Sequence, residues 1–310
     1  MLDPIAIVGS PTALGGHFGG MERSPEALRR AGLLDRLRSQ PGLADATLVD
    51  HGDAPNEPGW AADPDPRAKN RALIAGYLPR LADHVVAALR AEPAARLLVL
   101  GGDCTTHAGA MAGLRQARDG GSRAPRLAIA WFDAHGDFNT PATTPSGNVW
   151  GMPFAMLLGR GDADLVGACD GPTALEEDAA LLGGQVLDET ESRMLAASRV
   201  SHFGAGMLGT EAGSAALEAW ARVVGRRCDG LYVAFDLDAI DASEGPSLAM
   251  PEPEGISLET ALAAVRTLAA AMPVVGFGAT AAMERPGLDL RVTVEAIARL
   301  AAAALASGAR

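Results

Sequence analysis

Five short apolar runs, at residues 5–8, 96–100, 127–132, 231–235 and 274–277, each pass directly into Gly or Asp and then into a longer amphipathic stretch. A run of four to six residues that is apolar throughout, save the leading Arg96 of the second, has no polar face to give to water. It suits a strand covered by helices on both sides, as in a parallel sheet with helical crossovers. The fold class is therefore read as α/β. Ser24-Pro25-Glu26 ahead of Leu28 and Leu33 reads as an N-cap, a first-turn proline and an apolar helix face. Ser257 ahead of Leu258, Leu262, Val265 and Leu268 reads the same way, and the Ala-rich stretch at 293–305 suits a closing helix. The four prolines within residues 54–66 break both periodicities and mark a surface loop. At 310 residues, an open α/β sheet with one core accounts for the whole chain, so one domain spanning 1–310 is expected.

Charge and composition remove several function classes. With 26 basic against 38 acidic residues the formal charge is −12, the wrong sign for a phosphate backbone, so no nucleic-acid partner is expected. No stretch approaches the roughly 20 uncharged apolar residues that cross a bilayer. The first residues, MLDPIAIVGS, lack the basic start of a secretory signal. No membrane association and a cytoplasmic location are the expectation. Cys104, Cys169 and Cys228 are odd in number and far apart, which argues against a disulfide framework and fits a reducing compartment.

Ligands of open parallel sheets bind beyond the carboxyl ends of the strands. Three of the apolar runs end there in polar clusters: Gly101-Gly102-Asp103-Cys104, Asp133-Ala134-His135-Gly136-Asp137, and Asp236-Leu237-Asp238-Ala239-Ile240-Asp241. If the chain stays extended, residues i, i+2 and i+4 share a side, so Asp133, His135 and Asp137 converge, as do Asp236 and Asp238. A single Asp-x-Asp is ordinarily a turn or a helix cap. Three such clusters at equivalent strand ends would bring several carboxylates together, which requires protonation or bound cations. Bridging carboxylates mixed with imidazole suit Mn2+ or a related first-row ion, and two such ions can activate one water.

In order along the chain, GGDC (101–104), DAHGD (133–137), SGNVWGMP (146–153) and FDLDAIDA (235–242) resemble the GGDH, DAHxD, SGNxHGMP and FDxDxxDP motifs of the arginase/agmatinase (ureohydrolase) family. Residues 19–33, GGMERSPEALRRAGL, also resemble that family's early GPxxLRxxGL element. The likeness runs from near Ile5 to Asp289. It implies a three-layer α/β/α sandwich around a largely parallel eight-stranded sheet, often assembled as homo-oligomeric trimers or hexamers. It implies two divalent ions, Mn2+ first among them, with ligands at Asp133, His135, Asp137, Asp236 and Asp238, of which Asp133 and Asp236 bridge. In the family a metal-bound hydroxide attacks a guanidinium carbon, and the Asp matching Asp137 orients it and moves its proton.

Several positions depart from the family pattern. Cys104 stands where GGDH has its histidine; a thiolate binds divalent metals but is softer than imidazole, so another first-row ion is open at the sixth ligand position. His107, one helical turn later, is a possible substitute ligand. Trp150 replaces the histidine of SGNxHGMP and cannot exchange a proton at neutral pH, leaving it to wall or stack on a substrate. Met283, three residues before Pro286, stands where the family has a guanidinium-binding Glu; Glu284 is its neighbour but on the opposite side in a strand. Met250 falls where arginase-like sequences have a hydroxyl. Asn139, Thr144 and Ser146, with Asn148, keep the spacing by which arginases hold an amino-acid carboxylate. The segment for the substrate amino group is matched to Gly206, Met207, Leu208 and Gly209, which have no carboxylate. The expected activity is hydrolysis of a C–N bond in a small guanidino- or amidino-type, amino-acid-like substrate. An N-hydroxyguanidino hydrolase of a biosynthetic pathway and a catalytically inactive binding or regulatory protein are the alternatives.

Overall fold

A computed structural model describes residues 3–56, 65–121 and 123–306 of the chain; of the loop expected at 54–66, residues 57–64 lie outside the described residues. Eight strands form one sheet: β1 (Ile5–Ser10), β2 (Leu48–Asp53), β3 (Arg96–Gly101), β4 (Leu127–Asp133), β5 (Ala179–Gly183), β6 (Ser201–Gly204), β7 (Gly230–Asp236) and β8 (Val274–Thr280). Their order is β2-β1-β3-β8-β7-β4-β5-β6, and every pairing is parallel.

The five strands expected from their apolar runs are β1, β3, β4, β7 and β8, and they occupy the middle of the sheet. Alternate residues of each feed two separate cores. In β3, Leu98 and Leu100 join Leu28, Leu262 and Ile297 on one face, while Leu97 and Val99 join Ile74, Leu78 and Met111 on the other. Burying one such side chain contributes roughly 1.5–3 kcal/mol, so both faces of these strands must be apolar for three layers to form. The edge strands β2 and β6 are half-exposed and carry Asp50, His51, Asp53, Ser201 and His202, which hid them from a search for apolar runs.

Helix ends follow local chemistry. Ser257 caps Leu258–Ala271 as expected, its Oγ accepting the Thr260 N–H at 3.1 Å. The closing helix, Leu290–Leu305, starts three residues earlier than expected because Asp289 caps it. Ser24 is not a cap: it lies inside the first turn of Ser24–Arg30, and its hydroxyl donates to the Ala282 carbonyl, tying that helix to the segment after β8. The helix Arg71–Ala91 is long and apolar enough to cross a membrane by composition. Here it is a core helix, with Ile74, Tyr77, Leu78, Leu81 and Val85 buried in the same cluster as Met111 and Leu114 of Thr105–Ala117.

One tight crossing sets up the site. Gly102 N–H donates to the Ser10 carbonyl at 2.9 Å and Asp103 N–H to the Thr12 carbonyl at 3.0 Å. A Cβ on Gly102 would lie 1.8 Å from that Thr12 oxygen. Only glycine lets the β1 and β3 loops pass this closely. Cys104, two residues on, is thereby held at the start of the helix Thr105–Ala117.

Candidate active site

The three polar clusters meet at the carboxyl ends of β3, β4 and β7. Neighbouring β4 and β7 run in register, Phe132 opposite Phe235, so Asp133 and Asp236 are the last residues of adjacent strands. The convergence expected from extended alternation occurs by a different geometry. Asp238 lies in the 3-10 turn Leu237–Ala239, and the Asp236 carboxylate caps that turn by accepting the Asp238 N–H at 2.8 Å. Asp133 likewise accepts the His135 N–H at 2.7 Å, and Asp137 sits in the left-handed region at φ 46°. Short Asx turns, which Asp forms readily, aim these side chains inward.

Two overlapping donor groups result. Cys104, Asp133 and Asp137 form one, and Asp133, His135 and Asp238 the other, with the ligand atoms of each group within 4.8 Å of one another. The Cys104 Sγ–H points at Asp236 Oδ2, 2.8 Å away. His135 Nδ1 lies 3.3 Å from Asp133 and 3.2 Å from Asp238, while its Nε2 faces Glu252 at 3.5 Å. Trp131 Nε1–H donates to Asp133 Oδ2 at 3.0 Å, and Ala134 N–H to Asp238 Oδ1 at 3.0 Å. Asp137 Oδ2 is buried and has no hydrogen-bond partner among the described residues.

The electrostatics are those of a site awaiting positive charge. Burial, with the Asp238 charge added, pushes the Asp236 carboxyl up to about 8. Asp133, Asp137 and Asp238 are raised by burial first and by their carboxylate neighbours second. Burial and then the charges of Asp236 and Asp137 raise the Cys104 thiol. Burial alone would lower the His135 imidazole, but hydrogen bonds to Asp133 and Asp238 outweigh it and raise it. So many buried acids cannot ionise together without a cation, and an orphaned carboxylate oxygen among oxygen, nitrogen and sulfur donors fits a divalent metal pair.

His107 is not at the centre. It is fully buried, with Nδ1 at 3.0 Å from the Tyr232 hydroxyl and Nε2 at 3.1 Å from Thr280 Oγ1, which itself donates to Asp236 Oδ2 at 3.3 Å. With no buried charge to favour the imidazolium, burial pushes its pKa down to about 3. It braces a carboxylate from behind rather than substituting for Cys104.

A cavity of about 390 Å³ opens over the donors. Cys104, His135, Asp137, Asp236 and Asp238 line it together with Asn139, Thr144, Ser146, Asn148, Trp150 and Met250. In the 139–148 loop, Thr143 Oγ1 donates to Asn139 Oδ1 at 3.0 Å, and Thr144 Oγ1 accepts the Gly147 N–H at 2.9 Å. Asn148 Oδ1 accepts from Lys69 Nζ at 3.0 Å. Trp150 packs edge-on against His17 and Phe18, with ring centroids 5.2 and 5.4 Å away. Its indole fills the notch over Gly16, where a Cβ would fall 2.2 Å from the ring.

Two segments matched to the family pattern lie away from the cavity. Met283 does not line the cavity: its backbone pairs with Ser247 and its sulfur lies over Gly20, while Glu284 turns outward to Arg30 at 2.9 Å. Nor do Gly206, Met207, Leu208 and Gly209, which form the short helix Ala205–Leu208 and its end beside the edge strand β6. The loop after β5 faces the cavity instead, contributing Val186 and Asp188, with Glu191 following on the next helix. Asp188 Oδ2 accepts from Asn139 Nδ2 at 2.9 Å and caps the helix Glu189–Ala196; Glu191 Oε1 accepts the Phe138 N–H at 2.9 Å. Burial pushes the Glu191 carboxyl up to about 7. Sequence reasoning missed these residues, although the strand-end rule would have pointed to them had β5 been identified. His17 and Met21, from the loop after β1, complete the mouth.

An all-parallel eight-stranded sheet with buried Asp donors and a part-buried His at its central strand ends defines the ureohydrolase class. The sequence pattern of the arginase family matches residues 3–306. An arginase of Bacillus caldovelox is 31% identical over 282 residues, 87% of this chain and 87% of its own length. Arginase-1 of Homo sapiens is 30% identical over 270 residues, 83% of this chain and 78% of its own. The solved structure of the Bacillus caldovelox arginase superposes with a TM-score of 0.85 at 28% identity, covering 99% of each chain. The chain belongs to the arginase family, whose hydrolases act on C–N bonds of linear amidines at a binuclear metal centre.

Proposed function

We propose that the protein is a metal-dependent hydrolase of a C–N bond in a small guanidino- or amidino-type, amino-acid-like substrate. The reading rests on one observation: an unpartnered, buried Asp137 Oδ2 in the midst of Cys104, Asp133, His135, Asp236 and Asp238. These six residues would hold two divalent ions, with Mn2+ as the family's ordinary choice. Bound there, the pair supplies activation of a water molecule at neutral pH.

The chain's own groups account for the remaining roles. Asp137 lines the cavity with the free oxygen that such a reaction needs, and takes the nucleophile's proton at Oδ2. Asn139, Thr144, Ser146 and Asn148 offer neutral amide and hydroxyl groups for the substrate carboxylate, and Asp188 and Glu191, beside Asn139 and Phe138, offer carboxylates for an amino group. Met21, Met250 and Trp150 supply uncharged stretches of the lining. A fully charged guanidinium would be desolvated there without a dedicated partner, at a cost of several kcal/mol. That favours a less basic head group, an N-hydroxyguanidine or an amidine, over plain arginine.

The same reading makes the enzyme a cytoplasmic homo-oligomer, trimer or hexamer, checked by sedimentation. The decisive test is product release from arginine, hydroxyarginine, agmatine and simple amidines, using protein whose metal content has been measured. Two equivalents of metal with preferential turnover of the less basic substrates supports the reading. A metal-replete protein that turns over none of them returns it to a binding role.

A further inference from the structure

The two donor groups differ in one atom type, and that difference carries further than the site as a whole. Around Asp133, one group offers Cys104 sulfur with the Asp137 carboxylate, and the other offers His135 nitrogen with the Asp238 carboxylate. Sulfur is a soft donor that favours Zn2+ or Co2+ over Mn2+, whereas carboxylate with imidazole discriminates much less. We infer that the centre is chemically lopsided: its Cys104 half selects a thiophilic divalent ion such as Zn2+, while its His135 half accepts Mn2+. This inference rests on the proposed metal-dependent function.

Three observations support a selected thiol over a tolerated one. Cys104 lines the cavity and its Sγ is fixed at 2.8 Å from Asp236 Oδ2, on the inner side of the donor cluster. It is the N-cap residue of the 13-residue helix Thr105–Ala117, so the buried start of that helix fixes where its sulfur lies. The other two cysteines have other surroundings: Cys169 Sγ donates to the Val166 carbonyl, and Cys228 lies beside Asp178. On metal binding the S–H bond breaks, a sulfur–metal bond forms, and the proton leaves to solvent through the open cavity. No oxidant or reductant is involved.

The test uses the full chain freed of metal with a chelator. One equivalent of Co2+ should produce an intense near-ultraviolet thiolate-to-cobalt band, present in Cys169→Ser and absent in Cys104→Ser. Loading with one equivalent of Zn2+ in a large excess of Mn2+, followed by desalting, should leave about one equivalent of each. Cys104→Ser should weaken Zn2+ binding about 100-fold and Mn2+ binding less than about tenfold. Cys104→His, a second variant read by the same metal analysis, should shift the loading towards Mn2+ in both halves. Two bound metals with no thiolate band, or a Zn2+ preference unchanged in both variants, overturns the inference and leaves the hydrolase reading standing. A folded wild-type chain that binds no metal overturns both.

Discussion

The raised carboxyls make a thermodynamic prediction about the metal-free protein between pH 6.5 and pH 8. An unfolded Asp236, with an ordinary pKa of 3.8, is already ionised throughout that window, while in the fold it keeps its proton until about 8. A group with a raised folded pKa contributes its full stabilisation below the unfolded value and loses it as pH climbs through the folded one. At 1.36 kcal/mol per pH unit, Asp236 alone removes about 2 kcal/mol across 1.5 units. Glu191, raised to about 7, and His135 and Asp137, both raised, act with the same sign. His107, depressed to about 3, acts oppositely, but most of its contribution is in place by pH 6.5 and it adds only about 0.4 kcal/mol across the window. For 310 residues the entropy of unfolding is roughly 0.65 kcal/mol/K, so Asp236 by itself lowers Tm by about 3 °C. The assay is thermal melting of chelator-treated protein at constant ionic strength, with and without saturating Mn2+. Because metal must displace those protons, the Tm gained on adding Mn2+ should be larger at pH 8 than at pH 6.5. A metal-free Tm that stays level or rises across the window, or a metal-induced gain equal at both ends, would refute the electrostatic account of the site.

Three further outcomes follow from single contacts. Asp137→Asn keeps a side chain tolerated at φ 46° and should fold normally, yet lose turnover by about 10²- to 10⁴-fold in steady-state kinetics. Gly102→Ala puts a methyl 1.8 Å from the Thr12 carbonyl oxygen, where only backbone can yield, and should cost about 3 kcal/mol in denaturant unfolding along with loss of metal binding. Tyr232→Phe leaves His107 Nδ1 buried without its partner and should cost about 1–3 kcal/mol in the same measurement, with the metal content unchanged.

How much of this was legible in the sequence depended on where burial falls. The central strands announced themselves because both their faces are covered, leaving no polar position in residues such as Leu97, Leu98, Val99 and Leu100. β5, Ala179–Gly183, is equally buried but short and built from Ala, Leu and Gly, a composition a helix shares. Asp188 and Glu191 follow that strand and line the cavity, so the strand-end rule did not reach them. The Asp and His donors were legible because they cluster at strand ends, although Asx turns rather than extended alternation aim them. The outward turn of Glu284 and the placement of Met283 over Gly20 depend on how the segment after β8 meets the β1 loop, a long-range packing fact that no local pattern carries.

The indole seated over Gly16 ties residue 150 to the loop after β1. Gly15 and Trp150 are joined backbone to backbone at 3.0 Å, and the bare Gly16 backbone forms the floor on which the six-membered ring rests. An imidazole there would remove that ring and leave a void against His17 and Phe18, so the smaller residue would sit in a pocket shaped for an indole. Building a proton-exchanging imidazole into this position is therefore a task for the whole 15–20 loop together with residue 150.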